Sequence, residues 1–459
     1  MSFWNRFHFS CGYVATELRR HFGTGSLDQL VTTTRKFPAT IRVDLQHALD
    51  EFLTKELKAG AQGVASGFDH TGASFAVFTM EGEDGGRLGP LQYDEIDVGE
   101  KEPARCVNNA VWFSPREGVR FAVVVTQSAI FCPPAHVHVE LALLPEDAKS
   151  EFASGFFRRI EQLISDAGTF RGKIISLEAE NDYFGASGGI KVHRLPGILR
   201  DQVILPNKTL DLLDRNVSGF IEHRASLRRM GLPAKKGLLF YGPPGTGKTH
   251  TIRYLASALE DHTTLLITAE QVGLLADYFK LARFMQPSIV IIEDVDLIAR
   301  SRDLQQGACS EPLLNKLLNE MDGLRQDAEV LFILTTNRPD QLEEALASRP
   351  GRIDQAIEFP LPDEAGREKL IKLYAGQLEL NAETTERLVA KTDKSSAAFI
   401  KELMRRSAQN LLENSANGEL TLEHANAALD EMLFAGGSLN RRLLGGATDE
   451  VGFHSPADD

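Results

Sequence analysis

Cysteine is scarce in this chain: Cys11, Cys106, Cys132 and Cys309 are four among 459 residues. None stands in a CxxC pair, which argues against a disulfide framework or a structural zinc site and favours a reducing compartment. Long apolar runs are missing too. None approaches the about 18 residues that cross a bilayer, so no membrane span is expected. Met1 to Arg20 mixes Trp4, Arg6 and Glu17 with no apolar stretch and does not read as a secretory signal. There is no internal repeat, no low-complexity block and no H-E-x-x-H, which excludes a zinc-protease helix of that type. Positive charge is the scarcer sign. Fifty Lys and Arg face 64 Asp and Glu, a net charge of -14, which disfavours nucleic acid as a partner. What remains is ordinary globular composition, 42% hydrophobic and 25% charged. The length suggests two or three domains, and the expected location is cytoplasmic.

Residues 1–195 read as an N-terminal α+β domain. Phe121–Gln127 and Val137–Leu144 have strand composition. Phe152, Phe156, Ile160, Leu163 and Ile164 recur at helical spacing within 148–167. Gly82 to Gly99 is rich in Gly, Asp and Glu and predicts a surface loop, and Gly185–Gly189 predicts a flexible link. From Gly237 the pattern changes. Apolar runs at 237–241, 264–268, 288–292, 330–335 and 355–359 alternate with amphipathic segments, the signature of a parallel sheet covered on both faces. Residues 363–435 look wholly helical, and 436–459 form a Gly- and Asp-rich tail. The expected fold class is α/β: a P-loop NTPase parallel sheet flanked by helices over 200–362, a C-terminal helical lid and the N-terminal α+β domain.

Directly after the first apolar run comes Gly242-Pro243-Pro244-Gly245-Thr246-Gly247-Lys248-Thr249, followed by His250. This fits G-x-x-x-x-G-K-[ST] in its required setting of strand before and helix after. Glycines allow a tight loop whose N–H groups turn inward on phosphates. Lys248 adds a point charge for the β- and γ-phosphates, Thr249 offers a hydroxyl to Mg²⁺, and the helix N-terminus favours the anion. The cofactors expected are therefore ATP and Mg²⁺. Further on, Ile289-Val-Ile-Ile-Glu293-Asp294-Val-Asp296 is an apolar strand ending in carboxylates, as a Mg²⁺ site beside such a loop needs.

These motifs resemble those of the AAA ATPases over about 201–434. Asn337, in Ile333-Leu-Thr-Thr-Asn-Arg-Pro339, falls at the family's polar sensor position. Arg349 and Arg352, in Leu346-Ala-Ser-Arg-Pro-Gly-Arg-Ile-Asp354, fall at its arginine-finger positions. Leu317–Leu324 resembles a recurrent helix of the family. Asp201–Pro206 resembles the lead-in that lies against adenine, and Ser395–Ile400 resembles the start of the lid helix. The resemblance implies a ring of identical subunits, usually a hexamer, with ATP at the interfaces and a finger from the neighbour stabilising the transferring phosphoryl group. It also implies a protein substrate or adaptor met by the N-terminal domain.

The sequence departs from the family pattern twice. The common acidic order is Asp then Glu; here Glu293 takes the metal-facing position and Asp294 the water-orienting one, with Asp296 able to assist should the roles exchange. The segment after Thr268 lacks the aromatic–Gly pore loop of protein-threading members, and Tyr278 and Phe279 fall at helical positions that predict core. Both features are similar to the mitochondrial AAA chaperone that moves the folded Rieske protein, in its ATPase core only. Other groupings read more plainly. Cys132, His136 and His138 read as ordinary strand residues. Arg224, Arg228, Arg229, Lys235 and Lys236 read as a solvated helix face or subunit contact, and the acids of 81–102 as a solvated loop or docking site. The function expected is a ring-forming AAA ATPase that remodels, disassembles or translocates a protein or protein complex. The alternatives are a nucleotide-dependent scaffold or switch with slow hydrolysis, and a nucleic-acid motor.

Overall fold

The computed structural model describes residues 12–65, 75–78, 85–115, 118–127, 136–178, 189–300, 313–340, 352–414 and 419–432. Arg349, Cys132, the link at 185–188 and the tail from 436 lie outside them. The chain divides into two compact units, one of residues up to Arg171 with Ile175–His193, the other of Gly172–Ile174 with Arg194 onward.

The first unit is built on an antiparallel sheet in the order β1-β8-β7-β6-β2-β3. Its strands are β1 (Val31–Pro38), β2 (Gly60–Ala65), β3 (Arg87–Gly89), β6 (Ala110–Phe113), β7 (Phe121–Gln127) and β8 (His136–Leu143). A separate antiparallel pair joins β4 (Tyr93–Ile96) to β5 (Ala104–Val107), and β9 (Ile174–Leu177) pairs with β10 (Ile190–Val192). Central β7 is buried on both faces. On one, Val14, Leu18 and Phe22 of α1 (Val14–Phe22) pack on Val111, Ala122 and Val124. On the other, Phe121 meets Phe156 of α4 (Glu151–Ala167), which also contacts Phe52. Arg42 opens α2 (Arg42–Leu49) and is 5% exposed. It donates to Asp94 Oδ2 at 2.7 Å and to the carbonyl of Val107 at 3.0 Å, tying α2 to the β4–β5 pair. The loop expected over 82–99 is thus corrected, because 87–89 is a strand paired with β2 and 93–96 a strand paired with β5 and anchored by this buried charge. One-turn α3 (Phe75–Phe78) donates the Phe75 N–H to buried Glu140.

The second unit carries five parallel strands in the order β12-β13-β14-β11-β15: β11 (Lys236–Tyr241), β12 (Thr263–Ile267), β13 (Ser288–Ile292), β14 (Val330–Thr336) and β15 (Gln355–Glu358). This is the parallel sheet the apolar runs predict. Leu238, Phe240, Ile289, Ile291, Leu331 and Ile333 form one face. They pack with Leu213 of α5 (Asn207–Asn216) and with Ile252 and Leu255 of α7 (Lys248–Ala258). On the other face Phe332 stacks on Phe279 of α8 (Leu275–Phe284), ring centroids 5.4 Å apart. Tyr278 and Phe279 are both fully buried, and the Tyr278 hydroxyl donates to Gln271 Oε1. They are core residues of this sheet.

α6 (Ser218–Arg229) corrects another expectation. Arg224 is 4% exposed, beside His262 and over the Phe220 ring, so it is no part of a solvated face. Lys235 donates to the carbonyls of Met321 and Leu324, at the end of α10 (Leu313–Asp322) and just beyond it. Lys236 donates to Asn216. α9 (Val295–Arg300) follows the acidic strand end.

Among the described residues four helices follow the sheet: α11 (Glu364–Ala375), α12 (Ala382–Lys391), α13 (Ala397–Asn414) and α14 (Leu422–Asp430). Asp363 caps α11 by accepting from the Gly366 N–H, and Asn381 caps α12 by accepting from that of Thr384. Leu370, Ile371, Leu388, Phe399, Leu403 and Leu429 share their core. Among the described residues no helix is long and apolar enough to cross a membrane.

Because Phe279 fills a sealed slot against Phe332, Phe279→Ala should cost about 3–5 kcal/mol of stability in urea denaturation of the full chain. A loss below about 1 kcal/mol would return this side chain to the surface.

Candidate functional site

The parallel strands deliver the site by ending together. Tyr241 lies opposite Thr336, and Ile292 opposite Leu334. The loop after β11, the acids after β13 and Asn337 after β14 are therefore neighbours, at the carboxyl ends of the strands where open α/β sheets bind ligands.

The loop's shape depends on glycine. Gly242 has φ 149°, and a Cβ there would lie 2.2 Å from the Phe359 carbonyl. Gly245 has φ 76°, and a Cβ there would lie 2.8 Å from Ala398 Cβ and 2.9 Å from Ser396 Oγ. The loop is thus pressed against the start of α13, and the Ala398 N–H donates to the Gly245 carbonyl at 3.1 Å. α7 begins after Gly247 with no side-chain cap, so its first N–H groups lack an intrahelical partner and point toward the loop.

Lys248 is 7% exposed and donates from Nζ to the carbonyls of Gly242 at 2.7 Å and Pro243 at 2.9 Å. Burial pushes its ammonium down to about 8, while Asp294 and Asp296 pull it upward. Thr246 is buried and donates its hydroxyl to the Pro243 carbonyl, whereas Thr249 is exposed. Pro244 is exposed on the loop, and His250 is half-buried behind it.

Across the loop, Asp294 adopts φ 50°, the left-handed region that a non-glycine residue enters at a cost of about 1 kcal/mol or more. It is held there by its N–H donating to Thr335 Oγ1 and by Asn337 Nδ2 donating to its Oδ1, both at 3.0 Å. Burial and then the Asp296 charge push the Asp294 carboxyl up, against Lys248 and Asn337, which lower it. Asp296 is 4% exposed and accepts from the Thr336 hydroxyl at 2.8 Å and the Asn337 N–H at 3.3 Å. Glu293 keeps a buried Oε1 with no hydrogen-bond partner. The donor set fits a polyphosphate, with an uncapped helix start, a lysine and an exposed hydroxyl. The orphaned Glu293 oxygen fits the hydration shell of a divalent cation.

Arg352 lies elsewhere. Its carbonyl packs on Gly237 at the start of β11, and its guanidinium forms an ion pair with Asp322 and contacts Asn319 of α10. From Gly237 to Gly242 the strand runs about 17 Å, at ~3.3 Å per residue. One protomer cannot bring this side chain to its own Lys248.

Sequence reasoning assigned no role to Thr335 and Thr336, which fix Asp294 and Asp296. The signal was visible as two hydroxyls closing an otherwise apolar strand. It also left the cleft formed by Ile204, Leu205, Pro206, Thr246, Pro362 and Leu370 undrawn, though it had marked the lead-in segment.

Lys248 gives the site a pH signature in metal-free protein. Below its folded value of about 8 the side chain is charged and meets a polyphosphate directly; between there and the ordinary 10.5 binding must take up a proton. ATP affinity should therefore fall as pH rises above about 8, with proton uptake detectable by calorimetry in buffers of different ionisation enthalpy. Lys248→Met should weaken binding and flatten that dependence; a slope unchanged in the variant would refute the assignment.

Residues 238–361 match the family described as ATPase family associated with various cellular activities (AAA). The 26S proteasome regulatory subunit 10B of Dictyostelium discoideum is 37% identical over 174 residues, 36% of this chain and 44% of that protein. The 26S proteasome regulatory subunit 6B homolog of the same organism is 37% identical over 199 residues, 40% of this chain and 48% of that protein. The chain thus spans about half the length of the curated relatives it matches. Residues 238–361 thus match the AAA family of ATPases, and the loop after β11, the acids after β13 and Asn337 all lie within that match.

Proposed function

We propose that this chain assembles into a ring, most simply a hexamer, and couples ATP turnover to remodelling, disassembly or translocation of a protein or protein complex. The observation that carries the ring is the place of Arg352, at the amino end of β11 and far from its own phosphate loop. A finger so placed serves a neighbour's nucleotide. Residues 1–195 would engage a protein substrate or adaptor, 200–362 would turn over ATP, and 363–435 would act as the lid. The names of the two proteasomal relatives support a protein as the object of the work. The cluster from Arg224 to Lys236 gives little support to a nucleic-acid motor, because Arg224 is buried and Lys235 and Lys236 are bonded internally.

In this reading residues 242–249 cradle the triphosphate, and Lys248 exchanges its loop carbonyls for phosphate oxygens. Thr249 and Glu293 would hold Mg²⁺, which would neutralise charge on the phosphates. Asp294, fixed by Asn337 and Thr335, orients and polarises the attacking water, and Arg352 and Arg349 stabilise charge in the adjoining subunit. Asp294 is one methylene shorter than a glutamate and sits in a strained backbone, which favours slow turnover. That same observation supports the second reading, a nucleotide-dependent scaffold or switch.

Steady-state ATPase assays and native mass measurement test both. Asp294→Asn should retain ATP binding and lower kcat by about 10²–10⁴-fold. Arg352→Ala should lower kcat by about 10³-fold with ATP still bound, and ATP should shift the native mass to a multiple of the protomer. A monomer in saturating ATP, or an Arg352→Ala variant with full activity, would overturn the ring. Capture of a bound protein by Asp294→Asn would identify the substrate.

A further inference from the structure

His250 follows the phosphate-loop threonine, and its ring turns away from the loop. Its Nε2 lies 3.1 Å from the backbone carbonyl of Gln202. A carbonyl only accepts, so the ring is the donor and its Nε2 carries the proton. Tyr254 stands four residues on, on the same face of α7, and its ring lies under Arg200, 5.9 Å from the guanidinium carbon. Arg200 is held in turn by Asp214 Oδ2 at 2.8 Å. Arg200–Gln202 is a single 3₁₀ turn, closed by the Leu199 N–H donating to Gln202 Oε1 at 2.8 Å. So two side chains of the helix that starts at the phosphate loop clasp one short turn.

That turn leads through buried Val203 into Ile204, Leu205 and Pro206, one wall of the cleft whose other sides are Thr246, Pro362 and Leu370. Ile204 also packs against the lid core. At the root of the wall the Val203 N–H donates within the turn, to the Arg200 carbonyl at 3.2 Å. The helix that receives phosphate at its first turn thus sets, half a turn later, the position of the segment against which an apolar, planar group would lie.

We propose that His250, assisted by Tyr254, is a positioning residue that couples the phosphate end of the nucleotide site to its base-binding wall. It touches neither phosphate nor base; it holds the Arg200–Gln202 turn, and through it the Ile204–Pro206 wall of the cleft, in place. The inference rests on the reading of residues 242–249 as a triphosphate cradle.

The test compares ATP with inorganic tripolyphosphate, which has the charges and lacks the base, by calorimetry on the full chain with Mg²⁺. His250→Phe keeps the ring and removes the donor; it should weaken ATP by about three- to tenfold and leave tripolyphosphate affinity unchanged. His250→Gln presents an N–H at nearly the same reach and should recover most of the loss. In turnover, His250→Phe should raise KM for ATP more than it lowers kcat. Equal losses for both ligands would place His250 in the phosphate cradle and overturn the proposal. So would no loss for either, or no recovery with glutamine in a variant that melts like the parent. A parent chain that binds tripolyphosphate but gains nothing from the base would refute this inference alone. One that binds neither would refute the nucleotide reading beneath it.

Discussion

A charged lysine sits where water scarcely reaches it. Lys248 is buried among loop carbonyls and two carboxylates, and its ammonium is held well below the ordinary lysine range. An interior cation in that position is expensive unless paired. The loop carbonyls of Gly242 and Pro243 meet the cost in the free protein, and phosphate oxygens would meet it better. Everything around the site is arranged to keep that exchange possible. The glycines allow the loop to close on itself, β13 and β14 end level with β11, and the start of α13 presses on Gly245.

The carboxylate end follows a different logic. Three acids crowd the strand end, and they are not equivalent. Asp296 is buried and fully engaged by Thr336 and Asn337, so it is a support. Asp294 is bonded through one oxygen and strained in its backbone, and its proton affinity is raised by burial and by Asp296. Glu293 has the unspent oxygen. A carboxylate of raised basicity beside one with a free acceptor is the division that the proposed separation of proton handling from cation handling requires.

Much of this was legible because the strongest patterns are local. Parallel strands covered on both faces must be unbroken apolar runs, so β11 to β15 stand out, and the phosphate loop is a contiguous string whose parts each have a chemical reason. Tyr278 and Phe279 could be read as core from helical spacing alone. The misreadings share a cause in non-local contacts. β3 and β4 are short and lie in a Gly- and Asp-rich stretch, and only Arg42, some 50 residues away in sequence, shows that Asp94 belongs to a packed strand. Arg224 looks like a surface residue until His262 and Phe220 close over it. The remoteness of Arg352 from its own loop follows from the β11–β15 register, which no motif encodes.

That register has a consequence for damage. Gln355 pairs with Leu238 and Arg352 lies just before it, so Arg352 and the phosphate loop stand at opposite ends of one strand. In a closed ring each nucleotide would then be owned by one chain and finished by the next. A lesion at Arg352 would leave its bearer's own pocket sound and silence the pocket next door. In a ring that mixed faulty and intact copies of this chain, a minority of faulty copies would disable sites that are themselves intact.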